Sequence, residues 1–330
     1  MNYRKLGKYG TRVSEVSLGA WLTYGGSVED NTAVKCVHTA LENKINFIDV
    51  ADVYARGQAE RVVGKALGEA QYNRNDLVLS SKVFWPMADE AINNVGLSRK
   101  HIMDSIQQTL DRFNVDYLDI YFCHRFDDST PLEETAMAMH DLIKDGLIRY
   151  WGTSVWSAKQ LERVMGVCKE HHLIPPAVEQ PRYNMFDRTI ELEIMETCSY
   201  HGLGIVPWSP LAQGVLTGKY NSGIPEGSRG AGKSQFIKRD LTDEKLTQVK
   251  KIGEIASEVG VKTSQLALAW LLRRSEISSV ITGASKPEQV LENIEASSVK
   301  LDSATLDKIE EVLQNKPQFT GPYGPALPDR

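Results

Sequence analysis

Short apolar runs alternate with amphipathic segments along almost the whole chain. Runs rich in β-branched residues predict strands at SEVSLGAW (14–21), NFIDVA (46–51), DLVLSSKVF (76–84), YLDIYFCH (117–124), IRYWGTSV (148–155), AVEQPRYN (177–184), LGIVPWS (203–209) and ISSVITGA (277–284). Between them, apolar residues recur at helical spacing over 31–44, 58–70, 98–113, 132–145, 157–171, 188–200 and 263–273. Asp30, Ser98, Ser157 and Asp187 stand where helix caps are expected, and KPEQVLENI (286–294) opens a further helix with proline in its first turn.

Eight strands alternating with helices predict a parallel sheet, and the count favours a closed (β/α)8 TIM barrel, a single domain over 1–330. The alternative is an open doubly wound sheet, which would carry G-x-G-x-x-G after its first strand; LGAWLTYGG (18–26) is not that turn. Two segments lie outside the repeat. NYRKLGKYGTRVSE (2–15) reads as an N-terminal β-hairpin that caps the barrel bottom. The stretch 211–241, rich in Gly, Ser and Lys, reads as a long loop after strand seven on the catalytic rim. The tail NKPQFTGPYGPALPDR (315–330) is expected to be irregular.

Composition narrows the function. Hydrophobic content of 42% and charged content of 25% are ordinary for a globular protein. A net charge of −5 disfavours nucleic acid as the main partner. No apolar run approaches the roughly 20 residues of a membrane helix, and MNYRKLGKYG lacks the apolar core of a signal peptide, so no membrane insertion and a cytoplasmic location are expected. Cys36, Cys123, Cys168 and Cys198 are scattered, which predicts reduced thiols and no metal site.

The chemistry lies at predicted strand ends. Asp49, Lys82 and His124 close apolar runs, and Tyr54 follows Asp49 in the next loop. In a parallel barrel those ends converge on one rim. A phenol titrates near pKa 10, too high for efficient exchange at neutral pH, and an ammonium at Lys82 would lower it. Asp49 would keep Lys82 charged, and His124 would polarise a carbonyl. No residue in this set is an electron source, so a nicotinamide hydride donor is implied.

The motifs DVADVYA (49–55), WGTS (151–154), EQPRYN (179–184), WSPLAQGVLTGKY (208–220) and GASKPEQVLEN (283–293), with Lys82 and His124, resemble the aldo-keto reductases from about residue 3 to about residue 316. GAWLTYGG, GLSRKHI, TPLEET, YWGTS and NKP resemble the branch of voltage-gated potassium channel β-subunits and their bacterial and plant relatives. The resemblance implies a (β/α)8 barrel that binds NADP(H) across its rim, with Tyr54 as general acid beside Asp49, Lys82 and His124. It places Trp21, the backbone near Ala20, and Asp49 by the nicotinamide, and Ser154 and Gln180 on its carboxamide. It wraps Trp208, Ser209, Pro210, Leu211, Ala212 and Gly214 around the pyrophosphate and ribose. Lys219 and Arg229 would close over phosphates. Gly283, Ser285, Gln289, Glu292 and Asn293, with Lys286, would hold the far end of the cofactor, although the same segment also reads as a plain helix start.

Two positions depart from the channel-subunit pattern. This chain has His124 where those subunits often carry asparagine, and Val155 where they often carry arginine. The first departure favours catalysis, namely reduction of a small aldehyde or ketone with NADPH preferred over NADH. The alternative is an NADP(H)-binding, redox-sensing subunit with a potassium channel as partner. A homotetramer is expected from the same resemblance, with a monomer as the alternative. Trp21, Tyr24, Trp85, Trp156 and Met185 are expected to line an apolar mouth beside Tyr54 and His124, and Arg125 to add a charge suited to a phosphorylated or carboxylated aldehyde.

Overall fold

The computed structural model describes residues 1–232 and 235–318. The chain opens with an antiparallel hairpin, β1 (Tyr3–Lys5) and β2 (Arg12–Ser14). Eight parallel strands follow: β3 (Val16–Gly19), β4 (Phe47–Asp49), β5 (Val78–Val83), β6 (Leu118–Cys123), β7 (Ile148–Thr153), β8 (Val178–Glu179), β9 (Gly204–Ile205) and β10 (Val280–Thr282). They neighbour one another in the order β10-β3-β4-β5-β6-β7-β8-β9. Parallel bridges Ile205–Ile277 and Trp208–Ile281 join the two ends, so the sheet closes as a (β/α)8 barrel. The closing hydrogen bonds run from Ser278 N–H to the Ile205 carbonyl at 2.8 Å and from Ile281 N–H to that of Pro207 at 3.0 Å.

Helices α1 (Asp30–Glu42), α2 (Gln58–Glu69), α3 (Arg99–Phe113), α4 (Leu132–Lys144), α5 (Ala158–Glu170), α6 (Ile194–His201), α7 (Asp243–Val259), α8 (Thr263–Leu272), α9 (Pro287–Ile294) and α10 (Ser303–Leu313) cover the strands. Strand residues alternate between two cores. Phe47, Val78, Ile120, Phe122, Val178, Val206 and Ile281 fill the barrel interior, joined by Leu6 and Val13 of the hairpin. Ile48, Leu79, Tyr121, Trp151 and Ile205 belong to the second core, beneath the helices. The hairpin plugs the barrel bottom. Gly7 has φ +57, and a Cβ there would lie 2.3 Å from the Gly202 carbonyl, so only glycine lets the turn sit this close.

Ser98 caps α3 by accepting from the His101 N–H, and Ser157 forms a capping box with Gln160. Four expectations need correction. Strands six and seven stop at Glu179 and Ile205, well short of 184 and 209, because Pro181 and Pro207 bring no N–H to the ladder. The helix expected at 188–200 is broken into a 3-10 turn, Thr189–Glu191, and α6. Arg188 is drawn into ion pairs with Glu191 and Glu310, and Glu193 has non-helical φ/ψ. Asp187 therefore caps no α-helix; it pairs with Arg182 and Arg239. At α1 the N-cap is Glu29, and Asp30 lies in the first turn. Helices α7 and α10 lie outside the sequence expectation. Gln248 of α7 reaches the last carbonyls of α10, and Lys308 pairs with Glu258. The loop expected after strand seven is present between β9 and α7, beginning with a 3-10 turn over Ala212–Thr217. Most of the tail expected to be irregular, from 319 onward, lies outside the described residues. No helix of the described residues is long and apolar enough to cross a membrane.

Candidate active site

Strand parity assembles the site. Phe47 faces the barrel interior, so Asp49, two residues on, does too; Val78 likewise sets Ser80 and Lys82, and Phe122 sets His124. Parallel pairing puts Asp49 opposite Ser80 and Lys82 opposite Phe122, which brings the three strand ends to one height. Tyr54 comes from the loop after β4, in a tight turn over Tyr54–Gly57 whose Ala55, Arg56 and Gly57 have φ of 48°, 51° and 84°. Left-handed φ at non-glycine residues is costly and persists where the surroundings over-determine it. Apart from residues at helix C-termini, the others with such φ are Leu22, Val155, Ser209, Ala212 and Gln213, all beyond the C-terminal ends of barrel strands.

At the centre lies a buried ion pair. Lys82 Nζ donates to Asp49 Oδ2 at 2.7 Å and to the Val50 carbonyl at 2.6 Å. Asp49 Oδ1 accepts from Ser80 Oγ at 2.7 Å and from Gln180 Nε2 at 3.0 Å. Both charges are almost fully enclosed, and these extra hydrogen bonds are what a buried pair needs to offset desolvation. Lys82 Nζ stands 5.1 Å from the centre of the Tyr54 ring. The Tyr54 and His124 rings meet edge to face with centroids 5.9 Å apart.

The electrostatics correct one expectation. Burial holds the Tyr54 phenol well above its ordinary value, and the Asp49 carboxylate pushes it further up; Arg125, not Lys82, provides the opposing pull. The Lys82 charge is taken up by Asp49, so Tyr54 is a protonated donor. Burial lowers the Lys82 ammonium, and the Asp49 charge opposes that fall. His124 is held well below its ordinary value by burial and by the Lys82 and Arg125 charges, so it is neutral. Its Nδ1 is buried without a partner among the described residues.

Around this cluster stand the remaining residues of the rim. The Ala20 N–H donates to the Asp49 carbonyl at 3.0 Å. Trp21 is half-buried, edge to face with Trp208 at 5.4 Å and Phe236 at 5.1 Å. Ser154 Oγ donates to the Gln180 carbonyl at 2.9 Å, so Ser154, Gln180 and Asp49 form one chain across β7, β8 and β4. Ser209, Pro210, Leu211 and Ala212 form the strained bend into the loop, anchored by Asn184 Nδ2 on the Ser209 carbonyl at 3.0 Å. At Gly214, φ is +94, and a Cβ would lie 2.9 Å from Lys219 Nζ, which rests above this turn.

Arg229 joins the loop after β9 to the segment after β3, donating to Gln213 Oε1 at 2.9 Å and to the Trp21 carbonyl at 3.4 Å, close to Gly283. Helix α9 begins after Lys286 with no side-chain cap; Pro287 brings no N–H and the Gln289 N–H bonds the Lys286 carbonyl, so the Glu288 N–H and the Lys286 charge are what this end offers an anion. Ser285 Oγ and N–H both donate to Gln289 Oε1. Asn293 is buried. Lys262 at 2.8 Å and Ser264 at 2.7 Å hold the Glu292 carboxylate. Arg229, Lys219, Lys286 and the open helix start fit an elongated group that carries phosphates.

The expected apolar mouth is smaller than the sequence suggested. Tyr24, Trp156 and Met185 are fully buried and belong to the core, where large apolar side chains gain most. Trp21 and Trp85 remain at the rim, Trp85 with its ring 5.8 Å from the Arg125 guanidinium. The sequence reading passed over Ser80, Gln213 and Phe236. Ser80 was within reach, since it shares the parity of Lys82; no local pattern marks the other two.

The model of the Aldo/keto reductase family matches residues 15–314. The chain belongs to the aldo/keto reductase family. Over 98% of its length, and 100% of theirs, this family member is 44% identical to proteins of Arabidopsis thaliana and Oryza sativa subsp. japonica, each called "Probable voltage-gated potassium channel subunit beta". Aldo/keto reductases generally reduce carbonyl groups with a nicotinamide cofactor, an activity that suits a rim bearing a protonated phenol, a neutral imidazole and phosphate-compatible cations.

Proposed function

We propose that this protein reduces aldehydes or ketones to alcohols with NADPH, with Tyr54 as general acid. The observation that carries this reading is the half-buried Tyr54 phenol, protonated, free of any hydrogen bond to the described residues, and set against His124 and the Lys82–Asp49 pair. A bound nicotinamide supplies the hydride. Tyr54 gives its proton to the oxygen that becomes alkoxide. Neutral His124 offers one N–H donor to that oxygen, which steadies the growing negative charge. Lys82, held by Asp49 and the Val50 carbonyl 5.1 Å from the centre of the Tyr54 ring, balances the Asp49 charge that pushes the phenol up, and Arg125 favours phenolate once the proton has left. Ser154 and Gln180, linked to Asp49, hold the nicotinamide end; Trp208 through Gly214 and Arg229 hold the middle. Ser285, Lys286 and Gln289 take the far phosphate. The engagement of Glu292 by Lys262 and Ser264 removes a carboxylate that would otherwise accept a ribose diol and repel a 2′-phosphate.

The test is an NADPH-oxidation screen over short aldehydes, sugar aldehydes and methylglyoxal. Tyr54→Phe keeps the ring and should bind NADPH normally, while turnover falls by about 10²–10⁴, the usual worth of a positioned acid. Near wild-type turnover in that variant ends the assignment. NADPH should bind at least roughly tenfold more tightly than NADH, the worth of one charge-assisted contact. Equal dissociation constants by fluorescence titration would reject that preference.

A second reading is supported by the names of the plant relatives: a redox-sensing subunit that binds NADP(H) for a potassium channel. Tight NADPH binding with no carbonyl turned over, together with capture of a channel's cytoplasmic segment, would favour it.

A further inference from the structure

Arg125 lies one residue beyond His124, where β6 gives way to a rim loop. Its guanidinium is half-buried, yet among the described residues its hydrogen bonding is confined to one nitrogen, Nη1, which donates to the His124 carbonyl. Arginine carries five N–H donors in a planar fork that matches a carboxylate or phosphate edge. No carboxylate of the described residues pairs with it. Glu179 is the acid whose field reaches it, and both Glu179 oxygens are already taken, by Thr153 Oγ1 at 2.5 Å and by the Trp156 N–H at 3.2 Å. Trp85, 39% exposed, has its ring centre 5.8 Å from the guanidinium carbon. A half-buried cation without a counter-ion is costly, and this one also loads a crowded site: its charge adds to the burial that lowers the proton affinity of Lys82 and His124. An anion delivered at the rim would relieve both costs.

Position supports the same conclusion. Among the described residues, the other rim cations without a carboxylate partner include Arg229 and Lys219 in the loop after β9 and Lys286 before α9, on the side assigned to the cofactor. Arg125 follows the end of β6, next in the chain to the imidazole that would hold the reacting oxygen. The Arg125 charge acts on both Tyr54 and His124, and its Nη1 holds the His124 carbonyl, so a group bound by Arg125 lies next to the residues that would hold the reacting oxygen.

We propose that Arg125 is a specificity-determining residue and that the substrates of this site are short carbonyl compounds bearing an anionic group, a carboxylate or a phosphate. This rests on the reductase reading above. The competing role for Arg125 is purely architectural, pinning the loop through the His124 carbonyl and Trp85.

The experiment compares kcat/KM within two pairs of substrates, 4-oxobutanoate against butanal and glyceraldehyde 3-phosphate against glyceraldehyde, for the wild type, Arg125→Lys and Arg125→Met. In at least one pair the wild type should prefer the anionic member by about 30-fold or more, as expected for a charge-assisted fork, and the pair that shows it tells carboxylate from phosphate. Arg125→Met should bring that ratio close to one, and Arg125→Lys should restore part of it. Calorimetric titration of succinate and of inorganic phosphate into the NADPH-saturated protein gives a second readout: one of the two should bind the wild type and fail to bind Arg125→Met. Should Arg125→Met not fold, the wild-type ratios and Arg125→Lys still decide. Equal use of neutral and anionic members by the wild type overturns the proposal and leaves the reductase reading standing. A ratio that survives in Arg125→Met also overturns it, in favour of the architectural role. No turnover of any of the four compounds sinks both.

Discussion

Glu179 shows how a single buried residue carries a pH dependence. It lies on the outer face of β8, fully buried, and accepts from Thr153 Oγ1 and from the Trp156 N–H, so it pins the turn that holds Ser154 and the strained Val155. Burial raises its carboxyl to about 7, against an ordinary 4.5, with its hydrogen bonds and Arg125 pulling the other way. The folded protein therefore binds a proton that the unfolded chain releases, and stability is lost as pH rises from about 4.5 through about 7. The full loss is about 3 kcal/mol. Glu179→Gln cannot ionise. By urea unfolding, its stability relative to wild type should improve by up to about 3 kcal/mol between pH 4.5 and pH 8. A difference that stays flat across that range would show that Glu179 does not titrate there. Sequence alone marked the neighbouring Gln180 and Ser154 by resemblance, but it gave no sign of Glu179, whose environment comes from strands and helices distant in the chain. By contrast, Asp49, Lys82 and His124 were visible as ionisable groups ending apolar runs, because a charge in such a run is rare without a purpose.

At the scale of elements, close approach between helices can be tested on one helix. Helix α2 carries Gly64 and Gly68. A Cβ at Gly64 would lie 2.7 Å from the Phe113 carbonyl and 2.8 Å from that of Arg112, backbone atoms that close α3. At Gly68 nothing lies within 4 Å. Gly64→Ala should therefore destabilise by about 2 kcal/mol or more through overpacking, while Gly68→Ala should stabilise by up to about 1 kcal/mol by stiffening the unfolded chain. Thermal unfolding of the two variants checks this, and similar shifts in both would mean that α2 and α3 do not touch at Gly64. The strands were legible because each barrel strand is apolar on both faces and bounded by turn residues. Their ends were less so: Pro181 and Pro207 stand inside the apolar runs and still cut the ladders short. Helices α7 and α10 announce themselves only through caps, Thr242 accepting from Lys245 N–H and Asp302 from Thr305 N–H, with charged residues crowding the first turn of α7.

At the scale of the whole molecule, one rim does the proposed chemistry and the opposite end is closed by the hairpin, which leaves the helical flank as the surface for association. Exposed apolar side chains stand on that flank, among them Met137 of α4, Tyr200 of α6 and Leu291 of α9. Their neighbours are polar, and single exposed apolar residues are common on monomers, so this flank alone does not set an assembly. What tips the balance is the 44% identity that runs through both whole chains to the plant channel-subunit proteins, outer helices included. Identity of that extent takes in the outer helices through which a barrel would associate, and closed homo-oligomers are the common solution for soluble enzymes. We therefore expect a homotetramer in solution. Light scattering at micromolar protein, with and without NADPH, measures it. A mass near the 36.8 kDa of one chain in both conditions would rule out the tetramer and weaken the channel-subunit reading. It would leave the reductase chemistry intact, because Asp49, Tyr54, Lys82 and His124 all come from one barrel.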